Sequence, residues 1–188
     1  MQLKRFVRLF FCLFKQPCFL LHNSKVHYSS FVGRNTLLAS SQIGKYCYIA
    51  RGVVMNNTKI GNYVSVAPGV QIGGMEHSYW HISQSTWLSD KCISDNVTCI
   101  GNDVWIAAGC IIKQGVTIGD GAVVGANSFV VKDVPPFAIV VGTPAEIMKY
   151  RFDENTINHI YQSKYWDYPP QKGKRIIDDI KLGILLKL

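Results

Sequence analysis

The sequence predicts an all-β protein built as a parallel β-helix. Six six-residue units run unbroken from Ile100 to Pro135: IGNDVW, IAAGCI, IKQGVT, IGDGAV, VGANSF and VVKDVP. Each opens with Ile or Val, and the fifth residue is small or branched throughout (Val104, Cys110, Val116, Ala122, Ser128, Val134). The same spacing recurs upstream, less regularly. Few architectures repeat every six residues. A flat strand buries every second residue. Burying the first and fifth of six instead requires the chain to turn at the end of each unit. Three units then close one triangular coil of about 18 residues, and the aliphatic first positions stack between coils into a continuous core.

Taken in order, residues 1–25 form an apolar and basic segment. Phe6, Leu9, Phe10, Leu13 and Phe14 alternate with Lys4, Arg5, Arg8 and Lys15. Lys15 interrupts the apolar run and no small-residue cleavage site follows, which argues against a secretory signal. Two readings stay open: a basic amphipathic helix lying peripherally on an anionic membrane, or a helix shielding the open end of the solenoid. The coils begin at Val26. Val26, Val32 and Leu38 are six apart, a five-residue step leads to Ile43, Ile49 and Met55, and another leads to Ile60, Val66 and Ile72. The register then breaks. Residues 73–99 form a loop excursion before the repeat resumes at Ile100, and insertions of this kind often carry function.

The solenoid is therefore expected over 26–135, as roughly five coils. It should end near Val134, because Pro135 and Pro136 cannot continue a strand ladder. Residues 136–188 are expected to hold a turn at Gly142-Thr143-Pro144 and then helices. Ile157, Ile160 and Tyr161 have helical spacing, Pro169-Pro170 marks a break, and Ile176, Ile177, Ile180, Ile184 and Leu185 predict a last short helix.

Composition is compatible with one domain: 188 residues, 48% hydrophobic. No run of 18 apolar residues marks a spanning helix. The net charge of +8 comes from scattered Lys and Arg, with excess at the two ends and no nucleic-acid motif. It suits attraction of an anionic cofactor better than nucleic acid. The six cysteines show no CxxC and no Cys/His cluster, so no metal is expected. Cys47 and Cys110 fall at core positions, Cys12 and Cys18 in the N-terminal segment, Cys92 and Cys99 in the excursion. Free thiols point to a reducing cytoplasm.

The excursion carries the chemistry. It reads Gly73-Gly74-Met75-Glu76-His77-Ser78-Tyr79-Trp80-His81, then Gln84-Ser85-Thr86-Trp87. A histidine on a projecting loop is a candidate general base, because its ordinary pKa lies near working pH. His77 is the first candidate and His81 the second. A solvated loop histidine is the plain alternative. Glu76 adjoins His77, but neighbours in extended chain point apart. A nucleophilic Cys92 or Cys99 lacks a visible activating neighbour.

Three stretches, Ile100–Ile106, Gly115–Ala126 and Lys132–Pro136, together with Gly142-Thr143-Pro144-Ala145 and Tyr150-Arg151-Phe152, resemble the left-handed β-helix (hexapeptide-repeat) acyltransferases. The nearest pattern is the branch of xenobiotic (CatB-type chloramphenicol, streptogramin) and sugar (maltose, galactoside) O-acetyltransferases. The resemblance covers about 26–152. It implies a homotrimer with acetyl-CoA as co-substrate in the groove between solenoids, and His77 as general base in direct transfer. It also implies cofactor contacts at Trp105 near the acyl end, at Ala107, Ala108 and Ala126 along the pantetheine arm, and at Lys132 and Arg151 toward the phosphates. Val131 stands where relatives carry a threonine beside the lysine. The loop reads Ser85-Thr86-Trp87-Leu88 rather than the family's Ser-Thr-Phe-Pro, which alters the acceptor pocket. Tyr79, Trp80 and Trp87, with Tyr63, offer stacking faces for a sugar ring or an apolar drug. The leading expectation is O-acetylation of a sugar or polysaccharide precursor in the cytoplasm, peripheral to the membrane. A xenobiotic acceptor, an amino-sugar N-acetyl transfer and a non-catalytic scaffold are the alternatives.

Overall fold

The structure, a computed structural model, describes residues 19–85, 87–88 and 96–185. The expectations placed on the N-terminal segment through Cys18, and on Thr86 and Cys92, lie outside the described residues.

Parallel strands stack into three sheets, each forming one side of a triangular prism. Sheet I holds β1 (Phe19–His22), β4 (Thr36–Ala39), β7 (Val54–Asn56), β10 (Gln71–Gly74), β13 (Ile111–Lys113) and β16 (Phe129–Val130). Sheet II holds β2 (Lys25–Val26), β5 (Gln42–Ile43), β8 (Thr58–Ile60), β11 (Thr98–Ile100) and β14 (Thr117–Ile118). Sheet III holds β3 (Phe31–Val32), β6 (Tyr48–Ile49), β9 (Ser65–Val66), β12 (Trp105–Ile106), β15 (Val123–Val124), β17 (Ala138–Gly142) and β18 (Ala145–Tyr150). The coils number about six, one more than the hexapeptide count. The extra turn comes from both ends. β1 pairs with β4 ahead of Val26, and β17 pairs with β15 beyond Pro136.

The five-residue steps set the coil length. Leu37 lies opposite Val54, 17 residues on, whereas Ile111 lies opposite Phe129, 18 residues on. The first and fifth positions point inward as the hexapeptide pattern requires. From Leu38 to Val134 these aliphatic positions are at most 6% exposed and form one core. Cys47 and Cys110 belong to it, and their thiols donate to the Gly61 and Gly125 carbonyls on the next rung. Cys99 is a strand residue on β11 rather than part of the excursion, because pairing with β8 resumes at Thr98.

Corners stack as regularly as strands. At the corner between sheets II and III, side-chain amides and a carboxylate form a spine. Asn62 Oδ1 accepts from Lys45 N, Asn102 Oδ1 from Asn62 N, and Asp120 Oδ1 from Asn102 N. The excursion leaves from the corner between sheets I and II at Gly73. Its φ is +69°, and a Cβ there would stand 2.1 Å from the Asn56 carbonyl oxygen. Glycine is the residue that accepts both conditions.

Past Pro136 the chain returns antiparallel. β17 and β18 pair across Gly142-Thr143-Pro144, and Ala145 packs against the end of the core. Hexapeptide spacing carries no signal for this hairpin. Then come α1 (Glu154–Ser163), a 3-10 turn (Tyr165–Asp167) and α2 (Pro170–Leu185). Asp153 caps α1, accepting from the Thr156 backbone N–H and hydroxyl. Phe137, Ile160 and Trp166 form a second core that docks these helices on the corner between sheets II and III.

Two phenols lock that docking to the spine. Burial, then Asp103, raises the Tyr165 pKa, and burial, then Asp120, pushes Tyr161 up to about 12. The sign follows from linkage. An unfolded phenol ionises near 10.0, so the stabilisation is complete below that pH and is lost as pH rises through the folded value. The C-terminal helices should therefore become protease-sensitive between pH 10 and about 12. Undiminished resistance across that window would show that the phenols do not hold them.

Candidate active site

His77 lies three residues past the end of β10, exposed on the excursion. Its Nδ1 is 2.8 Å from the Gln84 carbonyl oxygen. A carbonyl only accepts, so Nδ1 carries a proton, and in the neutral ring the basic lone pair is the one on Nε2. Gln84 also braces the loop through its side chain, donating to the Ser78 and His81 carbonyls. Sequence spacing holds no trace of this partner, since a backbone carbonyl has no side-chain signature. Glu76 is not the orienting group. Its carboxylate meets Lys113 on β13 at 3.4 Å. His81 differs from His77: its Nδ1 stands 3.2 Å from the Ser83 carbonyl and 3.3 Å from the Ser83 N–H, which demand opposite protonation. Its tautomer is not fixed.

Around His77 the loop exposes a cluster of large apolar side chains. Tyr79 is 83% exposed, Trp80 74% and Trp87 93%. Tyr79 and Trp80 meet edge to face, 5.1 Å apart. Tyr63 is elsewhere, its hydroxyl donating to the Tyr168 carbonyl in the helical cap.

The remaining predicted positions divide between the face of sheet III and the three corners. Trp105 points out from β12 on sheet III. Ala107, Ala108 and Ala126 gather where sheet III turns into sheet I, on consecutive rungs joined by a hydrogen bond from Asn127 N to the Ala108 carbonyl. Ala108 and Ala126 are exposed, whereas Ala107 is buried and offers backbone only. Lys132 is exposed after β16, where sheet I turns toward sheet II, and its pairing with Glu146 is loose at 3.9 Å. Arg151 is at the third corner. Its Nη1 donates to the Gly121 carbonyl at 2.6 Å and lies 3.5 Å from Asp103, with Phe152 under the guanidinium. A cavity of about 340 Å³ opens beside it, lined by apolar groups of the two helices. The excursion that carries His77 thus leaves from the corner between sheets I and II, whereas Trp105 and the alanines belong to sheet III and the corner that follows it. Among the described residues no three His, Cys, Asp or Glu side chains converge to hold a metal ion.

The three outer faces differ in polarity. Sheet II presents Lys25, Gln42, Lys59, Cys99 and Thr117 in register. Sheet I presents Leu37, Val54, Gln71, Ile111 and Phe129. Sheet III presents Phe31, Tyr48, Ser65, Trp105 and Val123.

The family pattern described as "Bacterial transferase hexapeptide (six repeats)" matches residues 100–132. A hexapeptide-repeat containing acetyltransferase from Vibrio cholerae O1 biovar eltor, solved in complex with acetyl coenzyme A, superposes with a TM-score of 0.63. It is 34% identical, over 71% of this chain and 73% of that one. The chain belongs to the hexapeptide-repeat acetyltransferase family. Its solenoid is accordingly the left-handed parallel β-helix, an exception to the right-handed rule for parallel crossovers. A galactoside acetyltransferase in complex with coenzyme A is a further neighbour of this hexapeptide-repeat protein, at TM-score 0.62 and 28% identity, over 70% of this chain and 66% of that one. Among curated relatives, the chloramphenicol acetyltransferase of Agrobacterium fabrum is 48% identical over 77 residues. That match covers 41% of this chain and 37% of the relative's length.

Proposed function

We propose that this chain is an acetyl-CoA-dependent O-acetyltransferase acting on a hydroxyl of a sugar or polysaccharide precursor, with His77 as general base. The observation that carries the chemistry is the hydrogen bond from His77 Nδ1 to the Gln84 carbonyl, which assigns the basic lone pair of the neutral ring to Nε2. Bound acetyl-CoA supplies the acetyl group already activated as a thioester. His77 Nε2 takes the acceptor's hydroxyl proton as that oxygen attacks the carbonyl carbon, and returns it to the departing sulfur, so no covalent enzyme intermediate is required.

The residues present fit the cofactor. Ala108 and Ala126 leave an exposed corner without bulk, which suits an extended arm running along the rungs. Trp105 marks the acyl end. Lys132, whose ion pair is long and exposed, contributes little to stability and is available to phosphate. Arg151 is committed first to docking the C-terminal helices, and its remaining donors are those a nucleotide phosphate would meet.

Because the excursion bearing His77 leaves a different corner from the alanines, the reading calls on a neighbour's loop. A homotrimer, with each site between two subunits, supplies it. The apolar column on sheet I supports that assembly, since monomers rarely leave such a patch uncovered. Sheet III, with Trp105, then walls the groove. No helix among the described residues is long and apolar enough to cross a membrane. A cytoplasmic enzyme whose N-terminal segment touches the membrane surface is the setting we propose.

A xenobiotic acceptor is the second reading, favoured by the 48% identity to a chloramphenicol acetyltransferase. Titration calorimetry with acetyl-CoA tests the common part. Saturable binding at one site per chain is expected, and no binding at millimolar cofactor would refute it. Turnover with sugar and antibiotic acceptors then separates the two readings.

A further inference from the structure

The first acidic residue of the chain is Glu76, and the 75 residues before it carry nine Lys and Arg and no Asp or Glu. Five of these cations, Lys25, Arg34, Lys45, Arg51 and Lys59, lie in the N-terminal coils. Two of those cations are placed unlike the rest. Arg34 and Arg51 occupy consecutive rungs of the corner where sheet III turns into sheet I, joined by the bond from Gly52 N to the Arg34 carbonyl. The same column continues through Pro68 and Ala108 to Ala126, each step bridged by one backbone hydrogen bond. The arginines therefore lie in line with the alanine corner.

Both side chains are exposed, and among the described residues no carboxylate lies within 4.0 Å of either guanidinium. Stacked rungs are about 4.8 Å apart, so two like charges face the same water without a counter-ion, an arrangement that repels. Three residues before them on the same rungs, Phe31 and Tyr48 stack outward on sheet III, ring centroids 5.2 Å apart and 14° from parallel. Paired guanidinium forks match a carboxylate or phosphate in geometry and charge. Adjacent aromatic faces give a pyranose ring a platform.

We infer that Arg34 and Arg51 form an anion subsite for the acceptor, which is a sugar bearing a carboxylate or a phosphate ester. The inference rests on the acyl-transfer reading in one respect. If Trp105 marks the acyl end and the nucleotide runs toward Lys132, the acceptor lies on the other side of Trp105, toward the N-terminal coils.

The experiment is calorimetric titration of the full chain with trigalacturonate, a hexose 6-phosphate and neutral maltotriose, each with and without saturating CoA. An acidic probe should bind at least about tenfold more tightly than maltotriose, since a hydrogen bond to a charged group is worth that much. Preference for the uronate over the phosphate, or the reverse, names the anion. The variant Arg34→Gln/Arg51→Gln should lose the acid preference and keep its CoA affinity. Lys25→Gln/Lys59→Gln, which removes the same charge from sheet II, should keep both. Equal binding of acidic and neutral probes, or none of either, overturns the subsite, as does equal loss in the sheet II variant. Loss of binding to anionic phospholipid vesicles in the arginine variant, with its sugar binding intact, also overturns it, in favour of a membrane contact. Failure of CoA itself to bind counts against acyl transfer instead, and the CoA-free titrations remain readable.

Discussion

Replacing His77 with alanine should lower turnover by about two to four orders of magnitude, the usual contribution of a positioned general base, while acetyl-CoA affinity stays within about twofold. The split follows from where the ring is. His77 is exposed on the excursion and, among the described residues, bonded to the Gln84 carbonyl, so its removal empties no core and touches no rung of the solenoid. Stopped-assay turnover and calorimetry on the same preparation check it. Unchanged turnover would remove His77 as the base. A parallel fall in cofactor affinity would show that it contributes to binding rather than to proton transfer.

Ile111→Glu should break the proposed trimer. Ile111 stands between Gln71 and Phe129 in the outward column of sheet I, 44% exposed in the single chain. Burying an unpaired carboxylate against a neighbour's sheet costs about 3–5 kcal/mol, enough to raise the dissociation constant by roughly 100- to 4,000-fold per interface. The variant should sediment as a folded monomer with unaltered far-ultraviolet circular dichroism, because the side chain points away from the core. Activity should vanish with the trimer. A monomeric variant that still turned over would show that one chain completes the site. A variant that stayed trimeric would move the interface to another face.

The coils were legible because their physics is periodic. A residue that must be aliphatic at every sixth position leaves its mark on each unit, and Ile100, Ile106, Ile112 and Ile118 all prove buried. Even the cysteines at 47 and 110 could be placed by their position in the unit. What escaped the spacing is what depends on long-range contact. The hairpin of β17 and β18 follows a proline pair and runs against the repeat. Arg151 finds Asp103 across 48 residues, a pairing that neither local sequence announces. Family resemblance marks Arg151 only as a phosphate-facing residue, and the structure adds its contact with Gly121 and the helical cap. The polarity of the three faces was equally hidden, because it emerges only once the 17- and 18-residue registers bring Leu37, Val54 and Ile111 into one column.

The spine at the corner of sheets II and III has a consequence for descent. Asn62 N reaches Asn102 Oδ1 at 2.8 Å across 40 residues of sequence, and Thr58 pairs with Thr98 as though nothing intervened. The prism is therefore indifferent to how much chain is spliced between Gly74 and Thr98. Lengthening such a segment costs only about 0.6 kcal/mol per doubling. On the proposed reading, the loop that carries the base can be exchanged, grown or trimmed by mutation while the rungs that hold the donor keep their shape, so the two are free to change at different rates.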